Sequence, residues 1–128
     1  MSKLIGAVSV VSLTVRDLDA SRHFYAETLG LGEPWFEDHA MGWVEWGKDG
    51  AKGNLAITTS REGAQPGGGT TPVLDTEDCQ ALVAVLRDRG VRCEDPVAVD
   101  GLLTYCTFYD LDGNRLQALS GPPAKASR

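Results

Sequence analysis

The chain says the same thing twice. From Val8 to Val15, Val11, Leu13 and Val15 alternate with Ser12, Thr14 and Arg16, the period of two that suits a half-buried strand. Asp17 and Asp19 then supply carboxylates that can cap a helix. Ala20, Phe24 and Thr28 fall on one helical face with Tyr25 and Leu29 beside it, and Gly30 is placed to end the helix in a left-handed conformation. The pattern returns downstream. Pro72 to Asp75 reads as a short strand, Thr76, Glu77 and Asp78 as caps, and Cys79, Leu82, Val83 and Leu86 as an apolar stripe ending at Gly90. Asp17 and Asp78 are 61 residues apart and Gly30 and Gly90 are 60 apart, so the two halves read as copies of one supersecondary unit.

Runs rich in aromatic and branched residues follow each helix: Trp43 to Gly47 and Leu55 to Thr59, then Leu103 to Tyr109 and Leu116 to Leu119. The turn signals Asp49-Gly50 and Asp112-Gly113-Asn114 divide them, 63 residues apart, which sets Tyr109 at the repeat position of Trp46. Each half is therefore strand, helix and about three strands, an α+β pattern. At 128 residues the chain is expected to be one domain with a first module over about 4–60, a glycine-rich linker over about 61–71, a second module over about 72–120 and a disordered tail over about 121–128. Such a chain buries roughly two thirds of its unfolded surface and needs neither disulfide nor structural metal to hold a core.

Twelve Lys and Arg against eighteen Asp and Glu leave a net charge of −6, which opposes binding to phosphate backbones or anionic lipid. No nucleic-acid or membrane partner is expected. Cys79, Cys93 and Cys106 form no CxxC and are odd in number, the mark of reduced thiols rather than a disulfide framework or zinc cluster. The run Leu4 to Leu13 lacks a small-residue cleavage site and runs into Arg16 and Asp17, so it reads as a strand and the protein as cytoplasmic.

The segments VSLTVRDLDASRHFYAETLGLG and FYDLDGNRLQALS resemble the vicinal oxygen chelate superfamily of glyoxalases, extradiol dioxygenases and bleomycin-resistance proteins, over nearly the whole chain. The resemblance implies two tandem βαβββ modules forming a curved mixed sheet around a cavity. In metal-dependent members four inward-facing His or Glu residues hold a Lewis-acid metal. The matching positions here are Val10, Ala56, Thr71 and Gln117. Valine and alanine have no lone pair to give, and an amide with a hydroxyl is too weak a set for a divalent ion, so neither metal nor other cofactor is expected.

The remaining candidates are aromatic and polar. Trp35, Phe36, Trp43 and Trp46 gather within a dozen residues and suit the wall of a site for a ring-bearing ligand; equally, each can fill core or a dimer interface. Trp43 and Glu45 share one strand face and Val44 and Trp46 the other, and the sequence leaves open which face meets a ligand. Ser12, Tyr105 and Gln117 are added as ligand contacts. Glu45 is a weak catalytic candidate, a general base if burial raises its pKa, and otherwise an exposed strand glutamate. His23 reads as a solvent-facing helix residue. Glu37 and His39 share a face in an acidic loop that can bind a cation only if its side chains converge. The DLDGN run at Asp110 to Asn114 reads as a turn rather than a site.

The resemblance implies a metal-free homodimeric protein of the bleomycin-resistance type that binds a small aromatic molecule or antibiotic. The alternatives are an enzyme of the same superfamily acting by acid-base chemistry or through displaced ligands such as His39 and Glu45, and an accessory subunit that retains only the fold.

Overall fold

The computed structural model of the chain describes residues 8–48, 52–59, 65–68, 70–101 and 103–121. The turn signal Asp49-Gly50, residues 61–64 and 69 of the glycine-rich linker and all but Gly121 of the tail lie outside these residues. Two compact units, Met1–Gly68 and Gly69–Arg128, share one element order and together give the expected α+β fold of tandem βαβββ modules.

In the first unit β1 (Val10–Thr14) leads to α1 (Leu18–His23), which widens into a π-helical turn over Phe24–Thr28, and then to β2 (Phe36–Asp38), β3 (Trp43–Trp46) and β4 (Asn54–Thr58). The sheet order is β1-β4-β3-β2, with β1 parallel to β4 and the other pairs antiparallel. Asp17 starts the helix as expected, its extended backbone letting the carboxylate accept from the Ala20 amide at 3.0 Å. The sequence reads the whole segment as one α-helix. The π turn differs because Phe24, Tyr25 and Ala26 are all buried, and three successive residues spaced about 100° apart cannot all face one side of a regular α-helix. Gly30, at φ 79°, ends the element in the left-handed region only glycine enters freely.

Between the helix and the sheet lie Leu13, Val44, Trp46, Leu55 and Ile57, each at most 6% exposed. Val11 and Leu29, expected in the core, are only partly buried. Arg22 of α1 reaches over to β2, donating from Nε to Glu37 Oε1 at 2.8 Å and from Nη2 to Oε2 at 2.9 Å. These bonds fix the helix side of the sheet's outer strand.

The second unit repeats the plan with β5 (Val73–Asp75), α2 (Cys79–Asp88), β6 (Val97–Val99), β7 (Leu103–Tyr109) and β8 (Arg115–Ser120), in the order β5-β8-β7-β6. Asp78 caps α2 by accepting from the Ala81 amide at 3.1 Å. Cys79 donates its thiol to the carbonyls of Thr104 and Ala118 beneath the helix. All three cysteines are free thiols, and burial with the neighbouring Cys79 pushes the Cys106 thiol up to about 12. At the β7–β8 turn the buried Asp110 accepts from the Asp112 amide at 2.9 Å, and from the Asn114 amide and Nδ2 at 2.8 Å each. DLDGN is thus a turn held by its own side chains.

Strand register tests the repeat. Ser12 pairs with Ala56 and Val73 with Gln117, so the inner strands keep the 61-residue offset. Trp46 pairs with Leu55 and Phe108 with Leu116, which sets Phe108, not Tyr109, at the repeat position of Trp46. The offset there is 62 because the connection after β3 holds one residue more than its counterpart. The three-residue edge strands β2 and β6 are too short to leave a periodic signal in the sequence.

Candidate functional site

Alternation along the strands divides the first sheet into two faces. One carries Val44 and Trp46 under the helix. The other carries Ser12, Ala56, Glu45 and Phe36 as one row across all four strands, with Trp43 beside Glu45. The choice of face that the sequence leaves open is thereby made: Trp43 and Glu45 point away from α1.

Trp46 is a correction to the expected site. It is 4% exposed, its ring lies 5.5 Å from that of Tyr25, and its indole donates to the Gly32 carbonyl at 2.8 Å. It is core. The physical reason is the β3 pleat, which puts it on the same side as Val44, where an indole needs a buried acceptor and the helix end supplies one.

Glu45 is the centre of the other face. Its Oε1 accepts from the Trp43 indole N–H at 2.9 Å, and its Oε2 accepts from the Trp35 indole at 3.0 Å and from Asn54 Nδ2 at 2.8 Å. Asn54 is itself held, donating to the Lys48 carbonyl at 2.9 Å and accepting from the Lys48 amide at 3.3 Å. Gly47 makes room for it: at φ 131° a Cβ there would stand 1.9 Å from Asn54 Oδ1. Burial pushes the Glu45 carboxyl up, but the hydrogen bonds from Asn54, Trp35 and Trp43 outweigh it and hold the group below its ordinary value. That direction is opposite to the raised pKa that suits a general base near neutrality.

Trp35 reaches this carboxylate from the loop before β2, anchored by its amide on the Glu45 carbonyl at 3.0 Å. Its ring lies 5.4 Å from that of Phe36 at a 40° tilt, and both residues are 38% exposed. Trp35, Phe36, Trp43, Glu45 and Ser12 therefore share one region. Asn54 and Gly47 belong to it too, and periodicity could not have marked them; the only signal is a polar residue opening an otherwise apolar strand.

The other two expected contacts belong to the second unit. Gln117 lies across from Thr107, donating to its hydroxyl at 3.1 Å, and Tyr105 pairs with Leu119, all on the face turned away from α2. Of the four positions that hold metal in metal-dependent relatives, Val10 and Ala56 offer no donor, and Thr71 and Gln117 offer only neutral oxygen or nitrogen. This set does not fit a divalent cation. Among the described residues no three or more His, Cys, Asp or Glu side chains stand together as a metal-holding group.

His23 is exposed. Glu37 and His39 do converge, at 2.9 Å, but around Arg22 rather than around an open cation site. The Arg22 hydrogen bond, and after it that of His39, lower the Glu37 carboxyl to about 2.

A family model described as Glyoxalase/Bleomycin resistance protein/Dioxygenase superfamily matches residues 7–118. Among solved structures, a superfamily member from Sphaerobacter thermophilus DSM 20745 is 28% identical, covering 92% of this chain and 99% of that one at a TM-score of 0.78. TnmS3, an antibiotic binding protein from Streptomyces sp. CB03234, is 26% identical over 94% of this chain and 99% of that one, at 0.74. A glyoxalase family protein from Bacillus anthracis, 19% identical over 94% of this chain and 99% of that one, reaches the same TM-score of 0.74. No curated protein matches the chain.

Proposed function

This chain belongs to the Glyoxalase/Bleomycin resistance protein/Dioxygenase superfamily, and we propose that within it the protein is a metal-free binder of a small aromatic organic molecule, of the antibiotic-binding kind. The observation that carries the reading is the pair of indoles, Trp35 and Trp43, tied to one carboxylate beside the exposed ring of Phe36. Fixing two indole N–H groups in advance leaves little rotamer freedom to lose when a ring stacks on them. The likeness to an antibiotic binding protein supports the same class of ligand, and the weak donor set at the four family positions supports binding without metal.

Glu45 has no role as a base in this reading; it holds the aromatic wall. In the first unit Ser12 supplies a hydrogen bond to the ligand and Trp46 supplies none; in the second unit Tyr105 and Gln117 are ligand contacts on the face turned away from α2. The protein acts in the cytoplasm as a homodimer, a second copy covering sheet edges that each unit leaves open. A sedimentation mass of one chain at micromolar concentration would count against that last point. Elemental analysis after chelator-free gel filtration is expected to find no stoichiometric divalent metal.

The decisive experiment is a thermal-shift and tryptophan-fluorescence screen of planar aromatic antibiotics, repeated on Trp35→Ala and Trp43→Ala. Stacking contributes on the order of 1 kcal/mol per ring beyond area burial, so each substitution is expected to weaken a hit about fivefold or more. Undiminished binding in both folded variants would overturn the reading. Turnover of a hit, abolished by Glu45→Gln, would replace it with the enzymatic alternative.

A further inference from the structure

We infer that Glu45 sets the specificity of this aromatic face, selecting planar rings that carry a positive charge over neutral or anionic rings of the same shape. The inference rests on the aromatic-binding reading above and names its ligand class. Each indole has a single donor, its Nε1–H. Trp35 and Trp43 both use it on Glu45, one on each carboxylate oxygen. Their rings therefore have no hydrogen bond to offer a ligand and present only their π faces.

Those faces are electron-rich. Indole is the strongest of the aromatic side chains toward a cation, and an N–H donating to an anion polarises its ring further in that direction. Three N–H donors keep the Glu45 carboxyl ionised, yet they use only three of the roughly four acceptor sites on its two oxygens. Among the described strand residues of its own face, from Val10 on β1 to Asp38 on β2, no Lys or Arg balances that charge. Arg22 lies on the helix side, engaged with Glu37 and Glu33, and Lys48, which follows β3, meets Asn54 through its main chain. A net charge of −6 adds attraction of the same sign at long range. An anionic ring would meet uncompensated repulsion here, whereas a neutral ring gains stacking alone.

The test is a charge series on one shape: 10-methylacridinium, acridone and 9-anthracenecarboxylate, titrated calorimetrically into the full chain. The cation is expected to bind about tenfold more tightly than acridone, and the anion most weakly. Raising salt to about 0.5 M should narrow the gap between cation and acridone, since part of the attraction is long-range. In Glu45→Gln, with its fold checked by circular dichroism, every ring should bind more weakly because an amide oxygen accepts from only one of the two indoles, but the cation should lose more than acridone, so that the gap shrinks to within about twofold. A merely structural role for Glu45 would instead weaken all three probes by the same factor and leave the gap as it was. The charge series and its salt dependence in the wild-type chain need no variant, so a misfolded Glu45→Gln does not spare the inference. Equal affinities for cation and acridone, both lost in Trp35→Ala, would overturn the charge selection and leave the aromatic wall standing. Binding of none of the three probes would remove both.

Discussion

The two units share one strand order and carry opposite chemistry at corresponding positions. Where the first pairs small Ala56 on β4 with long Glu45 on β3, the second pairs long Gln117 on β8 with small Thr107 on β7. The long side chain has changed strands while the register has not. Strand pairing is fixed by main-chain hydrogen bonds and by the buried helix-side row, so the opposite row is free to vary provided a long residue faces a short one. One unit uses that freedom to hold an anion among indoles, the other to make a neutral amide–hydroxyl contact.

The shared half of this comparison carries the largest expected effects. Trp46→Ala and Phe108→Ala remove equivalent pillars between helix and sheet, and each should cost about 3–5 kcal/mol in urea unfolding. A large loss for one alone would break the equivalence that the register implies. Next comes the turn. Gly47→Ala combines a φ of 131° with a Cβ driven into buried Asn54 and is expected to cost about 2–3 kcal/mol, against about 1 kcal/mol for Gly113→Ala, where the φ is 81° and nothing lies within 4 Å.

The divergent half is sharpened by Asn54 and Arg115, which occupy the same position 61 residues apart. Asn54→Ala strips partners from Lys48 and Glu45 and should cost about 1–2 kcal/mol and weaken aromatic ligands, whereas exposed Arg115→Ala should stay within about 0.5 kcal/mol. The smallest effect belongs to pH. Glu37 sits well below its ordinary value near 4.5, so its contribution is complete above that pH and is lost as pH falls toward about 2. Glu37→Gln should therefore lower stability at neutrality, where the contribution is complete, have least effect near pH 2, and flatten the stability–pH curve between, with a modest amplitude because the pair is solvent-screened.

The repeat was legible in the sequence because caps and stops are local: Asp17, Asp78, Gly30 and Gly90 announce helix ends without any tertiary information. The one-residue slip between β3 and β7 was not, since the turn signals used to count it sit outside the paired strands. The WVEW strand shows the same limit at the site. Large residues on both of its faces erase the alternation that normally separates core from surface, and only Tyr25 and the Gly32 carbonyl assign Trp46 to the inside. Glu45 was visible as a carboxylate among aromatics. That its neighbours would lower rather than raise its pKa depends on three N–H groups arriving from a loop and two strands, which no spacing encodes.

The π turn at Phe24–Thr28 gives the first helix room for one residue more than an α-helical turn holds. Deleting one residue there would let ordinary helical pairing resume, and Phe24, Tyr25 and Ala26 could no longer all face the core. The Gly32 carbonyl would then leave the Trp46 indole, and the bonds from Leu31 and Gly32 back to Tyr25 and Ala26 would be lost. Shortened or lengthened descendants of this chain should therefore tolerate single-residue indels in the glycine-rich linker far more readily than between Phe24 and Gly32, where the reading frame of the helix is also the address of the core.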